Sequence, residues 1–233
     1  MRSFLLTLLC LLGVAHFTRA EEPKILVYLV GDSTVQSGSG WGDAFKPLLK
    51  DGVECVNLGK GGRSSKSYRA EGWWDKVLAA KPTFILLQFG HNDQPGKGPE
   101  RETDPNTTYA ENMAKYVDDA MAAGAQPILV TSLCRRTFNA EGKLVDTLQP
   151  YADAAKRVAE QKNVPLVDLH ARSMEQVEKM GPNGTGELDA TGKDKVAGSD
   201  KTHLSASGGK LVAPLVAGEL RRVHSELAKY LKD

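Results

Sequence analysis

From residue 24 onward the chain alternates short apolar runs with longer amphipathic stretches. Ile25-Leu26-Val27-Tyr28-Leu29-Val30 is apolar at every position, as expected of a strand covered on both faces. Runs of the same kind predict strands over 24–30, 53–57, 83–89, 126–131 and 164–168. Between them apolar residues recur at helical spacing, predicting helices over about 41–50, 72–80, 107–123 and 150–162. The stripe Tyr109, Met113, Tyr116, Val117, Ala120 and Met121 is one example. A last helix is predicted over about 205–231, with Ser205 as N-cap, Leu215, Leu220, Val223, Leu227 and Leu231 on its buried side, and a kink or restart at Pro214. Strand and helix in alternation imply an α/β fold, a three-layer α/β/α sandwich around a mostly parallel sheet of five strands; if that sheet is flavodoxin-like, its order is 2-1-3-4-5. The turn-rich segments 93–106, 133–149 and 181–199 are expected to rim the crevice at the carboxyl ends of the strands.

Composition adds compartment and excludes some partners. The first residues carry Arg2, an apolar stretch over 4–14 and Thr18-Arg19-Ala20, the layout of a secretory signal peptide over residues 1–20. That stretch is short for a membrane span, and no later run approaches membrane length. Residues 21–233 are then expected to form a single domain, secreted or periplasmic, with no membrane attachment once the leader is cut. Losing the leader removes Arg2 and Arg19 and no acidic residue, leaving 28 basic against 29 acidic residues. A near-neutral chain without a basic stripe gives no electrostatic case for nucleic acid as partner.

The chemistry gathers where the predicted strands end. Gly31-Asp32-Ser33-Thr34 follows the first strand and projects a serine hydroxyl into the crevice. Near the other end of the chain, Asp200-Lys201-Thr202-His203 sets a carboxylate three residues before an imidazole, so that both share one face of a turn. A serine, a base and an orienting carboxylate are the parts of a nucleophilic relay. Gly59-Lys60-Gly61-Gly62-Arg63-Ser64 follows the second strand and Gly90-His91-Asn92-Asp93 the third. A glycine loop exposes a backbone N–H and an asparagine offers a carboxamide, the donor types that stabilise an oxyanion in acyl transfer.

These four blocks, in this order across nearly the whole mature chain, resemble the SGNH or GDSL-like hydrolase family. The nearest likeness is to rhamnogalacturonan acetylesterases, through Gly31-Asp32-Ser33-Thr34, Gly62-Arg63-Ser64-Ser65-Lys66-Ser67-Tyr68 with Glu71-Gly72, and Phe89-Gly90-His91-Asn92-Asp93. The resemblance implies the SGNH hydrolase fold, Ser33 as nucleophile, His203 as base and Asp200 as its orienter. It further implies an oxyanion hole from the Ser33 and Gly62 amides and the Asn92 side chain, with no cofactor and no metal. The expected function is removal of acetyl groups from plant cell-wall polysaccharide, pectic rhamnogalacturonan first, by a monomer. Another ester is the alternative, whether acetylxylan, a sialic acid acetyl ester, a lysophospholipid or a thioester, and a non-catalytic carbohydrate binder on the same fold is the rival from a different class. The segment after Asn92 and the segment 133–149 have no match in the subgroup.

Other residues are read more narrowly. Gly59 to Ser67 fits neither the P-loop nor the dinucleotide spacing, and His91, Asp93, Asp200 and His203 follow no recognised metal spacing. Trp73, His91 and Arg63 are candidate substrate contacts: an aromatic face for a sugar ring, a polar group beside Asn92, and a cation that, with Lys66, would meet a uronate carboxylate. Trp73 and Trp74 are expected to divide between surface and core. Once the leader is removed Cys55 and Cys134 remain. In the order 2-1-3-4-5 their strands lie about 14 Å apart, beyond the ~7 Å Cα separation a disulfide spans, so both are expected to be free.

Overall fold

A computed structural model describes residues 24–190, 200–223 and 225–233, so the expected signal peptide over residues 1–20 and part of the expected rim segment 181–199 lie outside the described residues. Five parallel strands, β1 (Ile25–Gly31), β2 (Val53–Asn57), β3 (Phe84–Gln88), β4 (Gln126–Val130) and β5 (Leu166–Val167), form one sheet in the order β2-β1-β3-β4-β5. The helices are α1 (Gly42–Phe45), α2 (Ser65–Ala70), α3 (Trp73–Ala79), α4 (Thr108–Ala122), α5 (Gln149–Lys162), α6 (Leu169–Gly184), α7 (Ala206–Val223) and α8 (Ser225–Ala228).

Alternate residues of each strand feed opposite cores, which is why the strands read as unbroken apolar runs. Val27, Leu29, Phe84, Leu86, Ile128 and Val130 pack against Trp41 and Phe45 of the α1 region and Val212, Val216 and Leu220 of α7. Tyr28, Val30, Ile85, Leu87 and Leu129 pack on the other side against Trp74, Val77, Met113, Tyr116 and Val158. The expected stripe of α4 is buried except for Met121, which is 53% exposed. Cys55 and Cys134 are free, with β1 and β3 between their strands, and burial pushes their thiols up to about 12 and about 11.

The elements depart from expectation in four places. The stretch expected as one helix over 41–50 is a single α-helical turn, α1, followed by a 3₁₀ turn at Lys46–Leu48 that contains Pro47. A proline there removes a donor the α-helix would use. Ser65–Ala70 is helical although it opens inside the glycine-rich segment; the Ser64 side chain accepts from the Ser67 amide while the Ser67 hydroxyl accepts from the Ser64 amide, a reciprocal cap. Helix α6 follows β5 directly, capped by Asp168 and broken at Gly181 (φ +67°) before Pro182. Helix α7 runs through Pro214, because that residue sits on the exposed face and the carbonyl it leaves free, on exposed Lys210, can be met by water.

Candidate active site

The candidate residues Ser33, Gly62 and Asn92 lie just beyond the carboxyl ends of β1, β2 and β3, and the arginine pair just beyond that of β4, where the parallel strands release their chains into loops. Gly31 ends β1 and packs so closely on β3 that a Cβ there would lie 2.4 Å from the Gln88 carbonyl oxygen. The next residues are shaped by Asp32, whose Oδ1 accepts the Thr34 amide at 2.8 Å and the Thr34 hydroxyl at 2.7 Å. Gln88 Nε2 in turn donates to Thr34 Oγ1 at 2.6 Å, and Trp41 Nε1 donates to Gln88 Oε1 at 2.9 Å. This buried chain of bonds fixes the turn that presents Ser33, and the Ser39 hydroxyl closes it by donating to the Ser33 carbonyl at 2.8 Å.

Ser33 Oγ lies 2.8 Å from His203 Nε2, although the two residues are 170 positions apart. His203 Nδ1 lies 2.9 Å from Asp200 Oδ2. These partners assign the neutral tautomer with its proton on Nδ1, donating to Asp200, and Nε2 free to accept from the serine hydroxyl. The other oxygen of Asp200 accepts the amides of Thr202 and His203 at 3.0 and 2.9 Å, so one carboxylate both builds the turn and orients the ring. His203 keeps about a third of its side chain exposed and Asp200 is almost buried, so the relay opens to solvent on the imidazole side.

The glycine loop and the Asn92 turn close on the serine from the opposite side. Gly62 adopts φ +76°, a conformation that L side chains rarely take, and a Cβ on Gly61 would lie 3.8 Å from that of Ser33. Asn92 Nδ2 donates to the Arg63 carbonyl at 3.1 Å, which holds its carboxamide beside the loop with its second N–H uncommitted. Gly90 has φ +142° and lies against Ser132, whose hydroxyl donates to the Phe89 carbonyl at 2.7 Å. Asp93 anchors the same turn from below. It is buried, accepts from Ser65 Oγ at 2.5 Å and Thr103 Oγ1 at 2.9 Å, and burial pushes its pKa up to about 7.

The remaining candidates are placed differently from one another. His91 is buried beneath the serine turn, its Nδ1 3.4 Å from Asp32 Oδ2, an electrostatic contact too long for a well-formed hydrogen bond. Burial lowers the pKa of His91, with the Asp32 charge opposing; burial would raise that of Asp32, but His91 and the Thr34 bonds outweigh it and hold it low. Trp74 is in the core and Trp73 is half-buried, with the ammonium groups of Lys60 and Lys76 each 4.0 Å from its ring centroid. Arg63 pairs with Glu71 at 2.9 Å, and Lys66 Nζ donates to the Pro99 carbonyl at 2.6 Å. Among the described residues no cluster of His, Cys, Asp and Glu is arranged to hold a metal ion.

Sequence reasoning passed over the arginine pair that follows β4. Arg136 is 1% exposed and ion-paired with buried Asp189 at 2.6 Å. Its Nη2 donates to the carbonyls of Asp200 at 2.9 Å and His203 at 2.6 Å, and its amide donates to the Lys201 carbonyl at 2.9 Å, so it grips the turn that carries the imidazole. The signal was present as Arg135-Arg136 at the carboxyl end of a strand. Its partners, however, lie more than fifty positions away and follow no local spacing.

Residues 29–211 match the model of the GDSL-like lipase/acylhydrolase family, and the chain belongs to that family of carboxylic ester hydrolases. It is 35% identical to the rhamnogalacturonan acetylesterase RhgT of Bacillus subtilis over 91% of this chain and 94% of that protein. It is 28% identical to a rhamnogalacturonan acetylesterase of Emericella nidulans over 80% and 81% of the two chains. The fold is similar to that of protein YXIM from Bacillus subtilis, with a TM-score of 0.72 and 26% identity over 85% of this chain and 56% of that one. It is also similar to that of an acetylxylan esterase from Geobacillus stearothermophilus, with a TM-score of 0.66 and 21% identity over 84% and 94%.

Proposed function

We propose that this protein is an exported serine esterase that removes O-acetyl groups from plant cell-wall polysaccharide, pectic rhamnogalacturonan in particular. The observation that carries the reading is the unbroken hydrogen-bonded line from Asp200 through His203 to Ser33. In this mechanism His203 Nε2 takes the Ser33 proton as Oγ attacks the acetyl carbonyl, and Asp200 steadies the imidazolium that results. The Ser33 and Gly62 amides and the free N–H of Asn92 receive the oxyanion. His203 then protonates the departing sugar hydroxyl, leaving an acetyl-enzyme. Water, deprotonated by the same imidazole, attacks that ester and releases acetate and Ser33.

The names of the two rhamnogalacturonan acetylesterases support the choice of polymer. So do the rim segments 137–147, which are largely exposed and polar. An apolar cavity of about 480 Å³ lies between α1 and α7, but none of Ser33, Asn92 or His203 lines it, so it offers the relay no acyl tunnel. Export rests on the leader over residues 1–20, with residues 21–233 working as a single domain, as a monomer and without a cofactor. The test is acetate release from acetylated rhamnogalacturonan by the mature protein and by Ser33→Ala. Rapid release by the former and none by the latter is expected; release by a folded Ser33→Ala protein would move the chemistry to another site.

A further inference from the structure

Arg135 stands beside Arg136 in the sequence but faces a different environment. It is only part-buried, and its guanidinium bridges the two turns of the relay: Nη1 donates to Thr202 Oγ1, next to His203, and Nη2 donates to Gln94 Oε1 at 2.7 Å and reaches the His91 carbonyl at 3.5 Å. All three partners are neutral oxygens. Every other buried or part-buried arginine among the described residues has a carboxylate: Arg63 has Glu71, Arg69 has Asp119, Arg101 has Glu100, Arg136 has Asp189 and Arg172 has Glu219.

Asp32 and Asp200 are near enough to act on Arg135 electrostatically, and neither is within ion-pair distance. Asp32 Oδ1 serves Thr34 and its Oδ2 faces His91 at 3.4 Å, while both oxygens of Asp200 serve the His203 turn. Withdrawing a guanidinium from water without a carboxylate beside it is unfavourable, and burial accordingly lowers its pKa. The neutral partners therefore fix the fork without neutralising it. A guanidinium held in this way keeps Nε–H and one Nη1–H to offer, and a carboxylate that accepts from either gains a charge-assisted hydrogen bond. The cations that sequence reasoning assigned to a uronate are already engaged, Arg63 on Glu71 and Gly61 and Lys66 on Pro99.

We propose that Arg135 is a specificity-determining residue that binds a carboxylate of the substrate, so that the enzyme prefers an acetyl ester on or beside a uronic acid to the same ester on a neutral sugar. The proposal rests on the esterase reading above. Its test compares an O-acetylated rhamnogalacturonan oligosaccharide with the same compound methyl-esterified at its galacturonate carboxylates, using wild type, Arg135→Gln and Arg135→Lys at fixed ionic strength. Methyl esterification is expected to lower wild-type kcat/KM about tenfold, the scale of one charge-assisted hydrogen-bonded contact, chiefly through KM. Arg135→Gln is expected to lose a similar factor on the acidic form and then to be nearly indifferent to methylation, with Arg135→Lys between the two. If Arg135 only braced Thr202 and Gln94, the variant would lose equally on both forms, and that result overturns the proposal. Equal wild-type rates on the two forms overturn it while leaving the esterase reading intact; acetate release from neither form removes both.

Discussion

In the proposed mechanism Ser33 and His203 handle the same proton, so each would be idle without the other. Ser33→Ala and His203→Ala are each expected to lower kcat by several orders of magnitude, and the double variant to be hardly worse than either, when acetate release is measured on folded protein. In the same mechanism Asn92 would be one oxyanion donor of three, so Asn92→Ala is expected to cost about 10²–10³-fold, the usual scale for a single oxyanion donor. Asp93 is bound to the same turn and affects stability rather than chemistry. Burial raises its folded pKa to about 7, above the ordinary carboxyl value of 3.8. The protonated carboxyl therefore adds stability that is complete below about pH 4 and lost as pH rises through about 7. Buried His91, whose pKa is lowered, acts in the opposite sense over part of that window, so the effect is isolated as a difference. The melting temperature of wild type minus that of Asp93→Asn is expected to fall from pH 4 to pH 7; a difference that stays flat would contradict the assignment.

At the scale of elements, the relay depends on one turn being held against a strand end. The Asp200–His203 turn belongs to no helix or strand, and Arg136, beyond the end of β4, holds it through three side-chain bonds and one amide bond. Arg136→Gln strips a buried pair of one partner, a change that typically costs about 3–5 kcal/mol. Lys201, 3.2 Å from Asp189, should soften the loss. Chemical denaturation is expected to show this loss and kinetics a fall in kcat. Replacing both members, Arg136→Met with Asp189→Leu, is expected to recover much of the stability, because an apolar pair leaves no buried charge. It should not recover kcat, because the carbonyls of Asp200 and His203 still lose their donor. Recovery of both would reduce Arg136 to a role in stability alone.

Across the whole molecule, the exposed polar rim segment 137–147 and the absence of relay residues from the α1–α7 cavity predict a preference for short acyl groups. With p-nitrophenyl esters, kcat/KM is expected to be highest for acetyl and to fall by octanoyl; the reverse order would require an acyl site elsewhere. What the sequence determined is what repeats locally. Doubly buried strands must be apolar at every position, helices must carry a stripe, and the Gly-Asp-Ser, glycine-loop, Gly-x-Asn-Asp and Asp-x-x-His blocks follow the chain, so the run of elements and the blocks that hold Ser33, Asn92, Asp200 and His203 were legible before any coordinate, while the sheet order was an expectation of a flavodoxin-like fold. Helix α2 was not, because its stability comes from a reciprocal serine cap rather than an apolar stripe. Only tertiary structure decided which charges meet: Arg63 spent on Glu71, His91 turned under Asp32, Arg136 sealed against Asp189, and Arg135 left with neutral partners. The physical reason is that pairing depends on distances across loops, 53 positions for Arg136 and Asp189 and 170 for Ser33 and His203, and no local periodicity encodes them. The relay escaped that limit only because each half lies in a recognisable block, whereas the two arginines lie in a rim segment that has none.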